Sequence, residues 1–366
     1  MARKLKWDRW LFATTLVLMA ASVLMVYSAS EAIAAEKFGD ENPFVVKQAL
    51  FAVLGFAVML VAMRVDYAHY RDPRLILSVV GLTVLALVAV RLVGPEINGT
   101  HRWFHVAGVG IQPSELAKLA LILFTAAVLE QRMHRIGDWR SLTPILVLLV
   151  VVAGLIMVQP DYGSAVAVVV IVGVMVFAAG LPLRYVAFLT VVLGASLAGL
   201  AILAPYRVRR LLAFLDPWQD RFGDGFQVVQ SLIAVGTGGV TGRGLGYSVQ
   251  KLFYLPYPHT DFIYAVLSEE LGLIGASAML VCFCILTWRG LKTALHAPDA
   301  FGSFLALGLT TMIAVQAFVN MSVVLGLLPT KGITLPFVSA GGSSLLISLA
   351  GMGVLLNVSQ RASATS

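Results

Sequence analysis

The chain has 366 residues, 59% of them hydrophobic and only 12% charged, with a mean hydropathy of +0.89 and a formal net charge of +7. Soluble globular domains carry about 25% charged residues, so this composition excludes a surface that is wetted all round, and much of the surface must face lipid. The surplus of cations needs no nucleic acid to explain it, because most of it follows the positive-inside bias of short membrane loops.

Roughly 18 or more apolar residues cross a bilayer, and about ten stretches of the chain read as such spans. They run from Trp10 to Tyr27, Phe44 to Met63, Leu75 to Val93 and Pro113 to Leu129. Leu142 to Val158 and Tyr162 to Ala179 follow, joined only by Gln159-Pro160-Asp161, so that a re-entrant pair is the alternative there. Tyr185 to Ala204 is the seventh, and Phe262 to Trp288, Ser303 to Leu325 and Gly341 to Val358 complete the set. The first stretch lacks the small-residue spacing of a cleavage site at Met25-Val26-Tyr27-Ser28, and nine further spans follow it, so it is not a cleaved signal peptide. The expected fold is an all-α polytopic membrane protein of about ten transmembrane helices, one domain over residues 1–366.

Lys and Arg set the orientation. Arg3, Lys4, Lys6 and Arg9, then Arg64, Arg71 and Arg74, then Arg132, Arg135 and Arg140, Arg184, Arg289, Lys292 and Arg361 all fall on one side. With an even number of spans, both termini are expected in the cytoplasm. Cys282 and Cys284, two apart within one span, read as small lipid-buried side chains rather than a disulfide or metal pair.

Between the seventh and eighth spans lies a long extracytoplasmic loop, residues 205–260, rich in charge: Arg207, Arg209, Arg210, Asp216, Asp220, Arg221, Asp224, Arg243 and Lys251. Long loops in compact proteins are usually functional or disordered. The apolar and aromatic residues scattered through this one argue for short amphipathic helices on the membrane surface. Its run Gly236 to Gly246 lacks the Gly-Lys-Ser/Thr ending of a phosphate loop and reads as flexible turns.

Ionisable groups at membrane depth are the sharper signal, since each costs about 2.5–3.5 kcal/mol at a helix centre. Glu115 and Lys118, three apart on one helical face, can pair, as a structural ion pair or as part of a site. Asp161 sits in the turn between the fifth and sixth spans, where an N-cap is the alternative role. Arg102-Trp103 precede the fourth span on the same side. Asp261 opens the eighth, with Glu269 and Glu270 about two turns deeper; either could share its face. A cation-rich, carboxylate-bearing outer cavity suits an anionic, membrane-embedded substrate.

Several segments together carry a resemblance. They are Met25-Val26-Tyr27-Ser28-Ala29-Ser30, Gln112-Pro113-Ser114-Glu115-Leu116-Ala117-Lys118, Gln159-Pro160-Asp161-Tyr162-Gly163-Ser164 and Arg210-Leu211-Leu212-Ala213-Phe214-Leu215-Asp216-Pro217-Trp218. Gly242-Arg243-Gly244-Leu245-Gly246, His259-Thr260-Asp261-Phe262-Ile263 and Glu269-Glu270-Leu271-Gly272 follow, then Leu327-Leu328-Pro329-Thr330-Lys331-Gly332 and, through Leu335-Pro336-Phe337, Gly341-Gly342-Ser343-Ser344. In this order, on ten spans, the chain resembles the SEDS family of peptidoglycan polymerases, the RodA, FtsW and SpoVE group, and looks closest to the FtsW/SpoVE branch. Ala340 departs from the family pattern, which has Tyr there.

The resemblance implies a glycosyltransferase that polymerises lipid II into β-1,4 glycan strands with release of undecaprenyl diphosphate, in division or cell-shape maintenance. A lipid II flippase is the alternative. Asp261 matches the family's essential aspartate and is expected to be the catalytic base. Arg102, Glu115, Lys118, Asp161, Arg210, Arg243, Lys331 and Ser343 are expected to contact substrate or support Asp261. No cofactor is certain; a divalent cation, Mg2+ or Mn2+, would serve the diphosphate. The implied partners are the growing glycan lipid, a class B penicillin-binding protein transpeptidase and other division or elongation proteins of the bacterial cell (inner) membrane, with the active site facing outward. The dipole at a helix N-terminus would favour Asp261 as an anion, whereas burial would raise its pKa.

Overall fold

The structure, a computed structural model, describes residues 7–39, 42–96, 99–106, 109–135, 139–182, 184, 185, 187, 213–252, 254–330 and 332–365. In chain order the α-helices bounded within them are α1 (Arg9–Phe38), α2 (Pro43–Arg64), α3 (Pro73–Val93), α4 (Pro113–Arg132), α5 (Thr143–Val158) and α6 (Tyr162–Ala178). They continue with α7 (Phe226–Gly238), α8 (Ile263–Leu295), α9 (Ala300–Val324) and α10 (Gly342–Thr365). A single antiparallel ribbon, β1 (Phe104–Val106) with β2 (Val109–Ile111), leads into α4.

Among the described residues seven helices are long and apolar enough to cross a membrane: α1, α2, α3, Arg140–Val158, α8, α9 and Gly342–Ala362. With the family relationships below, these make the chain a multi-pass membrane protein. The expected fourth span, α4, carries Glu115, Lys118, Glu130 and Arg132 and falls outside that set, and α6 is shorter, at 17 residues. The expected seventh span lies almost wholly outside the described residues. Three spans run well past the ends that hydropathy indicated: α1 continues to Phe38, α8 to Leu295 and α10 to Thr365.

Helix starts are set by local chemistry. Asp8, Asn42, Asp72, Asp161 and Asp299 each accept from a free backbone N–H of the first turn, and proline follows in the first turn of α2, α3 and α4. Alternating directions bring both ends of the chain to one end of the bundle, where Asp8 is paired with Arg289 and its backbone N–H reaches Ser359. The opposite end, where α4, α6, α8 and α10 begin, is called the site end. In lipid, helices associate largely through small residues that allow close approach. Gly353 of α10 lies so close to α2 that a Cβ there would meet the Met59 carbonyl oxygen at 2.5 Å.

Within the loop before α8, Leu215 to Asp224 lie largely exposed, as expected of a surface segment, but α7 is packed into the bundle. α7 buries Val228, Val229, Ser231 and Ala234, and Ser231 donates to the carbonyl of Val324 at the end of α9. The glycine run is not a set of flexible turns. α8 breaks at Gly272 (φ 63°), which frees backbone groups that an apolar setting must satisfy. The glycine-rich turn satisfies them: Arg243 and Gly244 donate to the carbonyls of Glu269 and Glu270 (both 3.0 Å), and Leu273 and Ile274 donate to those of Gly239 and Val240 (2.9 and 3.2 Å). Only hydrogen fits at this junction, because a Cβ on Gly242 would stand 2.1 Å from the Glu270 oxygen.

Candidate functional site

The helix ends at the site end bring together residues far apart in the chain. Arg102 reaches from the loop before β1 and donates through Nε to the carbonyl of Gln159 (2.9 Å) and through Nη2 to that of Pro160 (2.6 Å). Both partners are neutral, so the guanidinium charge is left uncompensated by these bonds. Asp161 caps α6 by accepting from the Ser164 N–H, and its other oxygen accepts from Gln112 Nε2 (3.0 Å) and Ser114 Oγ (3.3 Å) at the start of α4. The capping role and a place in the site are therefore both realised. The backbone N–H of Gln112 donates to Ser343 Oγ, which ties in the start of α10. One turn deeper, Lys118 pairs with Glu115 at 2.6 Å, both side chains buried.

Asp261 faces this group. Burial, and next the Asp161 carboxylate, raise its pKa from 3.8 to about 6, while Arg102 acts in the opposite direction. Among the described residues no donor is hydrogen-bonded to the Asp261 carboxylate. The helix does not hold it as an anion either: the N-cap of α8 is Phe262, with no side-chain cap bond. Burial prevails over the dipole.

The backbone of Asp261 is held closely. Three consecutive carbonyls each receive a donor from another element: His259 from the Ala340 N–H (2.9 Å), Thr260 from Ser339 Oγ (2.6 Å) and Asp261 from Asn320 Nδ2 (2.8 Å). Gly332 covers the carboxylate, since a Cβ there would be 3.1 Å from Asp261 Oδ2. The neighbouring Ile333 packs on Gly163 of α6, and the Thr334 hydroxyl meets that of Ser344 in α10. His259 packs at a tilt against Phe44 with ring centroids 4.9 Å apart, and burial with the nearby Lys37 charge lowers its pKa to about 4.

Of the expected site residues, Arg102, Glu115, Lys118, Asp161, Ser343 and Asp261 occupy this end of the bundle together. Arg243 belongs to another set of contacts, on Glu269. Arg210 and Lys331 lie outside the described residues. Neither Glu269 nor Glu270 meets Asp261: Glu269 accepts from Ser248, Thr237 and the backbone N–H groups of Val249 and Gln250, and Glu270 accepts from Ser28 and Lys251. Asn320 and Ser339 were not singled out from sequence as holding Asp261. The signal for them went unused: Gln316 and Asn320 are a polar pair four apart inside an apolar span, and both are buried.

A metal tests the donor set differently. Among the described residues no three His, Cys, Asp or Glu side chains gather to hold an ion. Mg2+ keeps several waters and is commonly held by one or two carboxylates and substrate phosphates, and the unbonded Asp261 carboxylate, with Asp161 close enough to act on it, suits that mode.

The chain matches the FtsW/RodA/SpoVE profile, described as cell cycle protein, over residues 8–364. It is 46% identical over 354 residues to stage V sporulation protein E of Bacillus subtilis, covering 96% of this chain and 97% of that protein. It is 43% identical over 361 residues to the probable peptidoglycan glycosyltransferase FtsW of Geobacter metallireducens, covering 98% and 96%. Among solved structures, a chain of a peptidoglycan synthase complex described as coordinating polymerization and crosslinking superposes with a TM-score of 0.82 at 32% identity, covering 98% of this chain and 99% of that one. The rod shape determining protein RodA of Thermus thermophilus superposes at 0.71 with 30% identity, covering 98% of each.

Proposed function

The chain belongs to the FtsW/RodA/SpoVE family of cell cycle proteins, and on that premise we propose that it is a peptidoglycan glycosyltransferase that polymerises lipid II. The observation that carries the reading is Asp261: a carboxylate shifted to about 6, with no hydrogen bond to it among the described residues, near Arg102, whose own hydrogen bonds go to neutral carbonyls. A base with a pKa near the working pH combines the right protonation state with a usable driving force.

In this reading Asp261 takes the proton from the acceptor sugar's hydroxyl as that oxygen attacks the anomeric carbon of the donor. The bond to the diphosphate breaks on the opposite face, so the sugar inverts. The departing undecaprenyl diphosphate is already a stable anion, and no second carboxyl is needed to protonate it, unlike in glycoside hydrolysis. Arg102 stabilises the charge that develops there, with Arg210 and Lys331 as further candidates from sequence. Mg2+ or Mn2+, when bound, would be held by Asp261 and the diphosphate oxygens and would supply further positive charge. Asp161, Gln112, Ser114 and Ser343 shape the pocket, and the Glu115–Lys118 pair supports it from below.

In this reading the site end faces outward and both termini face the cytoplasm, an orientation that the Lys and Arg distribution supports. The partner is a class B penicillin-binding protein that cross-links the strands. The test is polymerisation of labelled lipid II by the full chain with that partner, wild type against Asp261→Asn. Glycan ladders from the wild type that vanish in a folded variant support the reading. Ladders from both remove Asp261 as base. No ladders from either, with lipid II crossing proteoliposome membranes, turn the reading to the flippase.

A further inference from the structure

We propose that Asn320 is a positioning residue for Asp261, joining the loop that carries the carboxylate to the loop that covers it. The inference rests on the reading of Asp261 as the base. Asn320 lies in the last turns of α9 and is 2% exposed. Its Nδ2 donates to the carbonyl of Asp261 at 2.8 Å and to that of Ile333 at 2.7 Å. Both amide protons are thereby used, one on each loop. Ile333 follows Gly332, whose Cα side lies against Asp261 Oδ2. One side chain thus sets the separation of the two walls between which the carboxylate sits.

The amide orientation is fixed by chemistry. Turned over, Oδ1 would face two carbonyl oxygens, so the nitrogen must point at them. Among the described residues Oδ1 is buried and has no partner, so the side chain's bonds within them are the two donations, one to each loop. With the His259 and Thr260 carbonyls held by Ala340 and Ser339, the backbone under Asp261 is pinned at three successive residues. Placement of this kind matters to rate, because a displacement of about 1 Å costs on the order of a hundredfold.

Asn320→Leu keeps the side-chain size and removes both donors; Asn320→Ala removes the same donors without bulk or charge and serves where the first variant does not fold. Each is compared with wild type and Asp261→Asn in lipid II polymerisation with the transpeptidase partner. The expected result is a kcat lower by about a hundredfold with the KM for lipid II little changed. A merely structural role lowers the amount of folded protein and leaves the kcat per folded enzyme in place. An unchanged kcat per folded enzyme in either variant overturns the proposal. An active Asp261→Asn enzyme, or an inactive wild type, overturns instead the reading on which it rests.

Discussion

Asp261 and Glu269 stand on either side of the start of α8, and the fold treats them in opposite ways. Glu269 is fully buried and its carboxylate is saturated by Thr237, Ser248, two backbone N–H groups and Arg243. Asp261 is only partly buried, yet among the described residues its carboxylate has no hydrogen bond and its pKa is raised to about 6. The difference separates a carboxylate used to build from one kept for chemistry. Around Glu269 the side chain gathers the segments on either side of the glycine-rich turn, Thr237 before it and Ser248 to Gln250 after it; around Asp261 the donors bind the backbone and, among the described residues, leave the side chain bare.

The largest effect should come from removing the bare carboxylate. Asp261→Asn is expected to reduce polymerisation by about 10²–10⁴-fold, the range for general-base catalysis, without destabilising the protein. The folded-state pKa lies above the unfolded one, so the folded state holds its proton more tightly. That contribution is present below about pH 4 and is lost as pH rises through 6. At neutral pH the charged Asp261 therefore costs stability, by at most about 3 kcal/mol, and the amide relieves the cost. Thermal melting in detergent should show Asp261→Asn at or above wild type; a clearly lower melting point would contradict the comparison.

Glu269→Ala should do the reverse. It strands a set of buried donors and Arg243, at about 3–5 kcal/mol, and should lower the melting temperature markedly. In whatever protein folds, the acid limb of the rate should stay near pH 6. A variant that melts like wild type would mean the segment Ser248 to Gln250 is held by something other than the Glu269 carboxylate. A step smaller, Gly242→Ala strikes the same junction through the backbone. Its φ of 81° disfavours a side chain, and the added Cβ meets the Glu270 oxygen at 2.1 Å. A loss of at least about 1–3 kcal/mol is expected from the conformation alone, read in the same melt.

The comparison also explains what could be read from sequence. Spans were legible because hydropathy is a local property, and the buried charges stood out because each is costly on its own. Asp261, Asp161, Arg102 and the Glu115–Lys118 pair belong to that kind of signal. The break at Gly272 was not legible, because a glycine in an apolar helix is ordinary until Gly238 and Gly242 are seen against it. Glu269 and Glu270 looked like neighbours of Asp261 by spacing, but the break and the turn claim the first, and Ser28 with Lys251 claims the second. Asn320 and Ser339 act on backbone carbonyls distant in sequence, and no short motif encodes such a contact.

The smallest expected effect is the most discriminating. Asp161→Asn keeps Oδ1 for the Ser164 N–H, so the α6 cap survives, and Gln112 can turn its amide to meet the new NH2 group. What disappears is a negative charge acting on Asp261, the second cause of its raised pKa after burial. Removing it eases ionisation, so the acid limb should shift to lower pH. Burial, the larger cause, is untouched, and the limb should remain above 3.8, the ordinary value. The measurement is the polymerisation rate from pH 5 to 8, with wild type and variant normalised at their plateaus. At pH 5.5 the variant should retain the larger fraction of its plateau. A limb that stays still or moves upward would show that Asp161 does not set the charge state of Asp261, leaving burial and Arg102 to do so alone.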